Sequence, residues 1–297
     1  MKELRKVTAE SAAALLAEAP PVFNSGKKQQ LWEYLQQSCS FSERDCLSAI
    51  RWGGPCPVET TSKLATIIEV VSDPYQYTTG LWYLNFADMN LFGFYGSDLF
   101  AQDEVMCAEI PVLMAVREAL DKDALTASHT DNEATPVTIT NVRHKVTVRG
   151  VYGHEFRHLP WKVIQNNLDL DDTLVNVVAA AAPRGHGLYT EKQLIDIFTT
   201  AYRAFSAAVT HHSMDNGNDK IVLHTGHWGC GAFGGNKVVM AKLQVAAAQS
   251  AGVGRLVYHA MSEGALVESA VKGVPGGKQV IEQLLLEKHQ WGVSNGT

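Results

Sequence analysis

The sequence lacks the features that mark several common classes of protein. Its 297 residues include five cysteines, an odd number, and no two of them form a CxxC pair. No run of about eighteen apolar residues occurs, and the apolar stretch near the N-terminus is short and interrupted by Glu18. A disulfide framework, a membrane span and a secretory signal peptide are therefore not expected. We expect an intracellular protein, cytoplasmic or nuclear, that binds no membrane and keeps its thiols reduced.

Basic charge is also scarce. The 25 Lys and Arg residues are outnumbered by 31 Asp and Glu residues, which gives a formal net charge of −6. We expect no binding of duplex nucleic acid through a basic face, because such a face needs an excess of cations. A pocket for one anionic ligand is compatible with this charge, since backbone N–H groups are able to hold an anion.

The apolar pattern predicts an α/β fold. The first 75 residues have mainly helical spacing, with predicted helices up to Leu16 and over 27–39, 42–52 and 60–71. Beyond them, predicted strands alternate with helices. The strands are predicted over 80–86, 136–152, 174–182, 221–224 and 255–261, and the helices over 103–120 with a break at Pro111, 190–211, 236–251, 263–271 and 279–291. This order indicates a helical accessory region over 1–75 and a layered α/β domain over 76–297.

A glycine-rich stretch, TGHWGCGAFGGN over 225–236, lies between a predicted strand and a predicted helix. That arrangement favours phosphate binding, because glycines let backbone N–H groups approach the ligand and the start of a helix attracts negative charge. The stretch contains no GxxxxGK[ST], so a P-loop nucleotide site is not supported. A plain tight turn between core elements is the alternative.

The full string resembles the diphosphate-binding loop of the poly(ADP-ribose) glycohydrolases, which reads TGNWGCGAFGGD. His227 and Asn236 stand where that family has Asn and Asp. The resemblance implies that the loop wraps the diphosphate of ADP-ribose and that its aromatic residues brace it. The implied ligand-binding residues of the loop are Trp228, Gly229, Cys230, Gly231, Ala232, Phe233 and Gly234.

A second segment, FADMNLFGFYGSDLFAQDE over 86–104, is similar without a gap to the FAN, GGG and QEE signature of the same family. The resemblance implies that Glu104 is the general acid and base and that Asp103 holds ribose hydroxyl groups. It also implies that Gln102 positions this pair and that Asp88 and Gly93 bind the ligand. The segment departs from the family at four positions. Phe92 and Phe94 replace glycines, Asp88 replaces Asn, and Asp103 replaces Glu.

A carboxylic acid suits the implied reaction. Breaking a glycosidic bond of ribose passes through an oxocarbenium-like state, in which an acid protonates the departing oxygen and its conjugate base then activates water. Burial and a neighbouring carboxylate are expected to raise the pKa of that acid.

The segment 150–156 resembles a further family segment, G-Y-x-E-T, with one extra residue. The resemblance implies that Tyr152 stacks on the adenine, with Phe156 as the second candidate. A strand aromatic in the core is the alternative. Taken together, the resemblance implies a three-layer, macrodomain-like mixed sheet flanked by helices, with an N-terminal helical extension. The implied ligand is ADP-ribose or poly(ADP-ribose) on modified proteins, and no cofactor or metal is implied.

Three other interpretations remain open at this stage. The chain is a catalytically silent ADP-ribose-binding protein if the phenylalanines close the catalytic loop. It is a zinc hydrolase if His154 and His158 of the HEFRH string lie on one helix face, although Gly153 and Pro160 flank that string and disfavour a helix. It is a thiol hydrolase if the pKa of Cys230 or Cys107 is low.

Overall fold

The structure, a computed structural model, describes residues 1–42, 44–55, 65–127, 133–217 and 219–296. Within them, eight strands form one mixed sheet in the order β1-β2-β5-β6-β4-β7-β8-β3. The strands are β1 Lys2–Ala9, β2 Leu47–Gly53, β3 Ile67–Val71, β4 Trp82–Asn85, β5 Val137–Val148, β6 Leu168–Ala179, β7 Val222–Gly226 and β8 Arg255–His259. The α-helices are α1 Ala12–Glu18, α2 Gly26–Ser38, α3 Gln102–Glu109, α4 Val112–Leu120, α5 Trp161–Asn166, α6 Glu191–Asn216, α7 Lys237–Ala251, α8 Gly264–Val271 and α9 Gly277–Glu287.

The sheet has a parallel half and an antiparallel half. Strand β4 runs parallel to β6 and β7, and β8 runs parallel to β7 and β3. The carboxyl ends of β4, β6, β7 and β8 therefore meet at one edge of the sheet. In open α/β sheets this edge is where ligands bind. The loops that leave it include 86–101, 180–190 and 227–236, and both predicted binding segments lie among them.

Helices cover both faces of the sheet. The core on one face contains buried side chains of α6, α7, α8 and α9, and the core on the other face contains those of α1, α3 and α4. Residues 239–248 of α7 are all buried, and eight of these ten residues are apolar. The predicted three-layer α/β architecture is confirmed. In the described segments no helix is both long enough and apolar enough to cross a bilayer.

Local signals fix the helix that follows the glycine-rich stretch. The Asn236 side chain accepts hydrogen bonds from the N–H groups of Val238 and Val239, at 3.0 and 3.3 Å, and so caps the start of α7. Asn and Asp cap helices about equally well, so Asn236 keeps the capping role. The helix ends at Gly252, whose φ of +77° suits glycine.

Two of the predicted N-terminal helices are wrong. Segment 47–53 of the predicted helix 42–52 is strand β2, and 67–71 of the predicted helix 60–71 is strand β3. Strand β1 was not predicted at all. Short apolar segments fit helix and strand alike, and pairing of β2 with both β1 and β5 decides between them. Residues 43 and 56–64 lie outside the described segments. Helices α1 and α2 agree with prediction, and the boundary at residue 75 stays a prediction.

Candidate active site

The predicted catalytic segment leaves β4 at the carboxyl edge of the sheet and returns as α3. Gln102, the first residue of α3, links the two. Its Oε1 accepts from the Phe86 N–H at 2.7 Å, and its Nε2 donates to the Leu84 carbonyl at 3.2 Å. The side chain therefore ties the start of α3 to the end of β4, which holds the next two residues of α3 in place. This contact is consistent with the positioning role predicted for Gln102.

Glu104 is buried in the first turn of α3. Its Oε2 accepts from the Ala101 N–H at 2.9 Å, so the carboxylate caps the helix. Burial raises the pKa of Glu104 above its ordinary value. A glutamic acid with a raised pKa is suited to donating a proton near neutral pH.

Asp103 lies beside Glu104 and is also buried. Burial raises the pKa of Asp103 well above its ordinary value, the charge of Glu104 raises it further, and a hydrogen bond from Asn85 opposes the rise. The Cys107 thiol donates to Asp103 Oδ1 at 3.8 Å. In this arrangement the Asp103 carboxylate faces Asn85 and Cys107 inside the protein. Its predicted contact with ribose stays a prediction.

Lys28 of α2 places a positive charge near this acidic pair. Its side chain is 3% exposed, its Nζ donates to the Phe94 carbonyl at 3.4 Å, and it lies 5.6 Å from the centroid of the Phe100 ring. Burial lowers the pKa of Lys28 to about 8, and the charges of Glu104 and Asp103 oppose this lowering. In return, Lys28 lowers the pKa of both carboxyl groups.

The chain just before α2 packs against the loop 86–101, which precedes α3 and is called the catalytic loop below. The N–H groups of Asn24 and Ser25 both donate to the Gly96 carbonyl at 2.9 Å. A Cβ atom at Gly96 would lie 2.4 Å from the Val22 carbonyl oxygen, so a larger residue does not fit. This contact fixes the start of α2 and with it the position of Lys28.

The two phenylalanines of the catalytic loop point in opposite directions. Phe92 is fully buried in the core with a φ of +52°, whereas Phe94 is 47% exposed. Phe92 lies in the core and Phe94 faces outward, so the two rings lie on different sides of the Gly93 backbone. The Gly93 N–H donates to the Asn90 carbonyl at 2.8 Å, and a Cβ atom at Gly93 would lie 2.5 Å from Asn90 Nδ2. A larger residue at position 93 would therefore force the Asn90 side chain to move, and the contact of Gly93 with a ligand stays a prediction.

The glycine-rich stretch joins β7 to α7 and is braced by Trp228. This ring is buried, and its Nε1 donates to the Ala180 carbonyl at 2.8 Å. Hydrogen bonds inside the stretch use other backbone groups, since the N–H groups of Gly234 and Gly235 donate to the carbonyls of Gly231 and Gly229. Four N–H groups donate no hydrogen bond within the described part of the chain, those of Gly229, Gly231, Ala232 and Phe233. These open donors suit an anion.

The C-terminal segment crosses the same stretch. The Gly292 N–H donates to the Gly234 carbonyl at 2.7 Å, and the Asn295 N–H reaches the Gly231 carbonyl at 3.4 Å. His154 Nε2 lies 2.8 Å from the Gly296 carbonyl oxygen. The loop that carries Tyr152 and His154 and the glycine-rich stretch are thus neighbours, joined by residues 292–296.

Tyr152 is the exposed member of the two aromatic candidates. Its side chain is 53% exposed and interacts with the backbone of Gln102 at the start of α3. Phe156 is fully buried and stacks on Phe100 with a centroid distance of 4.2 Å. Phe156 is therefore a core residue, and Tyr152 alone has a free face to offer. Its stacking on adenine stays a prediction.

The HEFRH string does not form the helix that a zinc protease needs. It lies in the 3-10 helix Gly153–His158, where residues four positions apart are about 120° apart around the axis. His154 interacts with the C-terminal segment, and His158 Nε2 accepts from Arg157 Nε at 2.9 Å. Among the residues that the structure describes, no three His, Cys, Asp or Glu side chains form a group able to hold a metal ion. The geometry does not support the zinc hydrolase interpretation.

The two thiols are poor nucleophiles. Burial raises the pKa of Cys230 to about 12, and burial together with the charge of Asp103 raises the pKa of Cys107 well above its ordinary value. A thiol that stays protonated at neutral pH reacts slowly. The position of Cys230 near the start of a helix does not overcome its burial, so the thiol hydrolase interpretation is disfavoured.

Asp88 follows β4 and carries a charge that the resembling family lacks at this position. Its Oδ1 accepts from the Asn90 N–H at 3.1 Å, and its Oδ2 accepts from Arg184 Nη2 at 2.8 Å. The carboxylate is therefore paired. Arg184 belongs to the loop after β6, which sequence patterns did not mark as part of a site.

Three site residues were missed from the sequence, namely Lys28, Asn85 and Arg184. The sequence contained a signal for Lys28, because helical spacing places it on the same face of α2 as Leu31 and Leu35, which are both buried. A lysine on the apolar face of a helix is unusual and needs a partner. Asn85 and Arg184 had weaker signals, since each lies at or just after the carboxyl end of a strand.

The chain is similar to known proteins. The sequence model of the family described as poly(ADP-ribose) glycohydrolase (PARG), macro domain fold, matches residues 61–268, more than two thirds of the chain. No curated protein matches the chain. Among solved structures, PARG from Deinococcus radiodurans in complex with ADP-ribose is 16% identical with a TM-score of 0.48, over 91% of this chain and 98% of that chain. PARG from Thermomonospora curvata is 16% identical with a TM-score of 0.45, over 88% of each chain.

The family match covers both segments on which the sequence resemblance was based, 86–104 and 225–236. Those two segments lie at one edge of the sheet. The chain therefore belongs to the poly(ADP-ribose) glycohydrolase family of glycosidases and has its macro domain fold.

Proposed function

We propose that this protein hydrolyses the ribose glycosidic bond of poly(ADP-ribose) or of protein-linked ADP-ribose, with Glu104 as the general acid and base. The observation that supports this most directly is the buried carboxylic acid at the start of α3, whose pKa is raised by burial. It lies at the sheet edge from which the glycine-rich stretch also leaves. Family membership supports the substrate class.

The proposed chemistry needs one group that gives and then takes a proton. In its protonated form, which burial favours, Glu104 donates to the departing ribose oxygen as the glycosidic bond breaks. Its carboxylate then removes a proton from the attacking water, which regenerates the acid. Gln102 holds α3 against β4, and the open N–H groups of the glycine-rich stretch bind the diphosphate. Tyr152 stacks on the adenine.

The first experiment is to titrate ADP-ribose into the protein by calorimetry and to follow release of ADP-ribose from a poly(ADP-ribosyl)ated protein. Binding together with release supports the glycohydrolase. A protein that binds ADP-ribose and releases none from the modified protein is not a hydrolase of this substrate. Absence of binding contradicts the proposed ligand.

The second candidate function is a catalytically silent ADP-ribose-binding protein. The observation that favours it is the burial of both acidic side chains, Asp103 and Glu104, in this conformation. A hydrolase needs Glu104 to reach the ligand, whereas a binding protein does not. The release experiment separates the two functions.

Replacing Lys28 with Met is expected to move the alkaline limb of the pH–rate profile upward by about one pH unit. Lys28 favours ionised Glu104 and so lowers its pKa. Without that charge the pKa of Glu104 rises, and the proton needed by the departing oxygen stays bound to a higher pH. The measurement is kcat/KM for ADP-ribose release as a function of pH, which reports the pKa values of the free enzyme.

Lys242→Met is the matched control. Lys242 is also buried, but its Nζ pairs with Glu287 at 2.9 Å on the helices α7 and α9. Its removal should leave the alkaline limb in place. An unchanged limb in the Lys28 variant would contradict the proposed influence of Lys28 on the acid.

A further inference from the structure

Arg184 stands between the two segments proposed to bind the ligand. It lies in the loop after β6, and its Nη2 donates to Asp88 Oδ2 of the catalytic loop at 2.8 Å. Its guanidinium carbon lies 4.0 Å from the centroid of the Phe233 ring in the glycine-rich stretch. One side chain therefore contacts both segments at the carboxyl edge of the sheet, and the space between them is the proposed ligand cleft.

Most of the guanidinium is free to meet a ligand. The side chain is 62% exposed, and apart from the Nη2 contact its N–H groups have no acceptor within the described part of the chain. The cation–π contact with Phe233 holds the guanidinium next to the glycine-rich stretch. The Phe233 N–H is one of the four open backbone donors, so an anion held by them would lie near the arginine.

The negative charge of Asp88 explains why an arginine is useful at position 184. Asp88 introduces a carboxylate into a cleft proposed to hold a diphosphate, and two like charges repel. Arg184 neutralises this carboxylate and leaves further donors for phosphate oxygens, which guanidinium groups bind well. Two other nearby cations are engaged elsewhere, since Lys237 pairs with Glu263 at 2.7 Å and Lys28 is buried.

We propose that Arg184 is a diphosphate-binding residue of this cleft, and that Asp88 and Arg184 act as a compensating pair. The inference rests on the proposed function, because it takes a nucleoside diphosphate sugar as the ligand. It adds a side-chain cation to the backbone donors of the glycine-rich stretch.

The test is calorimetric binding of ADP-ribose and of adenosine, which has no phosphate, to the wild type, R184Q, D88N and the double variant. R184Q should bind ADP-ribose about tenfold more weakly or worse, with adenosine affinity kept. The double variant should recover much of the loss, because it also removes the unpaired Asp88 carboxylate. D88N alone should bind ADP-ribose at least as tightly as the wild type.

R255Q is the matched control. Arg255 is also partly exposed and pairs with a carboxylate, Glu69, at 3.6 Å, but it lies at the opposite end of β8 from the cleft. Its removal should leave ADP-ribose affinity unchanged. Thermal unfolding of each variant verifies that the fold is intact.

Three results would overturn the assignment while leaving the proposed function in place. They are wild-type affinity in R184Q, tighter binding in R184Q, and an equal loss of affinity for adenosine and ADP-ribose. The tighter binding would show that Arg184 blocks the cleft, and the equal loss that it only supports the structure. A wild-type protein that binds no ADP-ribose would overturn the proposed function and this assignment together.

Discussion

Glu104→Gln is expected to reduce the rate of ADP-ribose release by about 10³-fold while leaving ADP-ribose binding within a fewfold of the wild type. General acid–base catalysis contributes about 10²- to 10⁴-fold to such reactions. Gln keeps an oxygen that accepts from the Ala101 N–H, so the start of α3 should be preserved. It cannot donate and recover a proton in the required way. Single-turnover release and calorimetric binding measure the two quantities separately.

Glu109→Gln is the control for this variant. Glu109 is another buried glutamate of α3, and burial raises its pKa to about 7. Its Oε1 accepts from the Val148 N–H at 2.9 Å, and its Oε2 accepts from the Tyr77 hydroxyl at 3.1 Å. These contacts are internal to the protein, so release should stay within a fewfold of the wild type. Equal losses in both variants would mean that Glu104 acts through the packing of α3 and not through a proton.

Gly229→Ala is expected to destabilise the fold by about 2–4 kcal/mol and to weaken ADP-ribose binding at least tenfold, by about 1.4 kcal/mol or more. Gly229 has a φ of +74°, where a side chain is strained. A Cβ atom there would lie 2.6 Å from the Ala182 Cβ and 3.0 Å from Met240 Cε. The glycine-rich stretch must therefore move, which displaces its open N–H groups. Chemical denaturation gives the stability change, and calorimetry gives the affinity.

Gly252→Ala separates backbone strain from steric contact. Gly252 has a similar φ of +77°, at the opposite end of α7, but a Cβ atom there meets nothing within 4 Å. Only the strain of positive φ applies, about 1 kcal/mol, and binding should be unaffected. If the two variants lose the same stability, the contact with Ala182 is not what requires glycine at position 229.

The central part of the fold was predicted correctly from the sequence. Strand β4, helices α3 and α4 with their break at Pro111, helix α6 and the unit from β7 to α8 lie close to where the apolar pattern predicted them. These elements are either long and periodic or bounded by caps and glycines, such as Asn236 and Gly252 around α7. Patterns of this kind depend on neighbours along the chain.

The outer strands of the sheet were not predicted correctly from the sequence. Strands β2 and β3 were predicted as helices because segments of five to seven residues carry too little periodicity to exclude either. What makes β2 a strand is hydrogen bonding to β1 and β5, and β5 is about ninety residues away along the chain. Such pairing is a property of the folded chain and not of the local sequence.

The candidate site shows the same division. The motifs at 86–104 and 225–236 indicated Gln102, Glu104 and the glycine-rich stretch as candidates, because residue type alone decides whether a position is able to act as an acid or to expose its backbone N–H group. The partners of those residues came from elsewhere, Lys28 from α2 and Arg184 from the loop after β6. Their charges matter only where the fold brings them within reach of Glu104 and Asp88.

The sequence by itself determined the family, and it supplied Glu104 and the glycine-rich stretch as candidates for the acid and for diphosphate binding. Only the tertiary structure decided that Phe92 turns into the core while Phe94 turns out, and that Asp88 is neutralised. The physical reason is that residue type and spacing fix local backbone geometry and chemical capacity. Burial, direction and pairing of charges depend on which distant segments pack together.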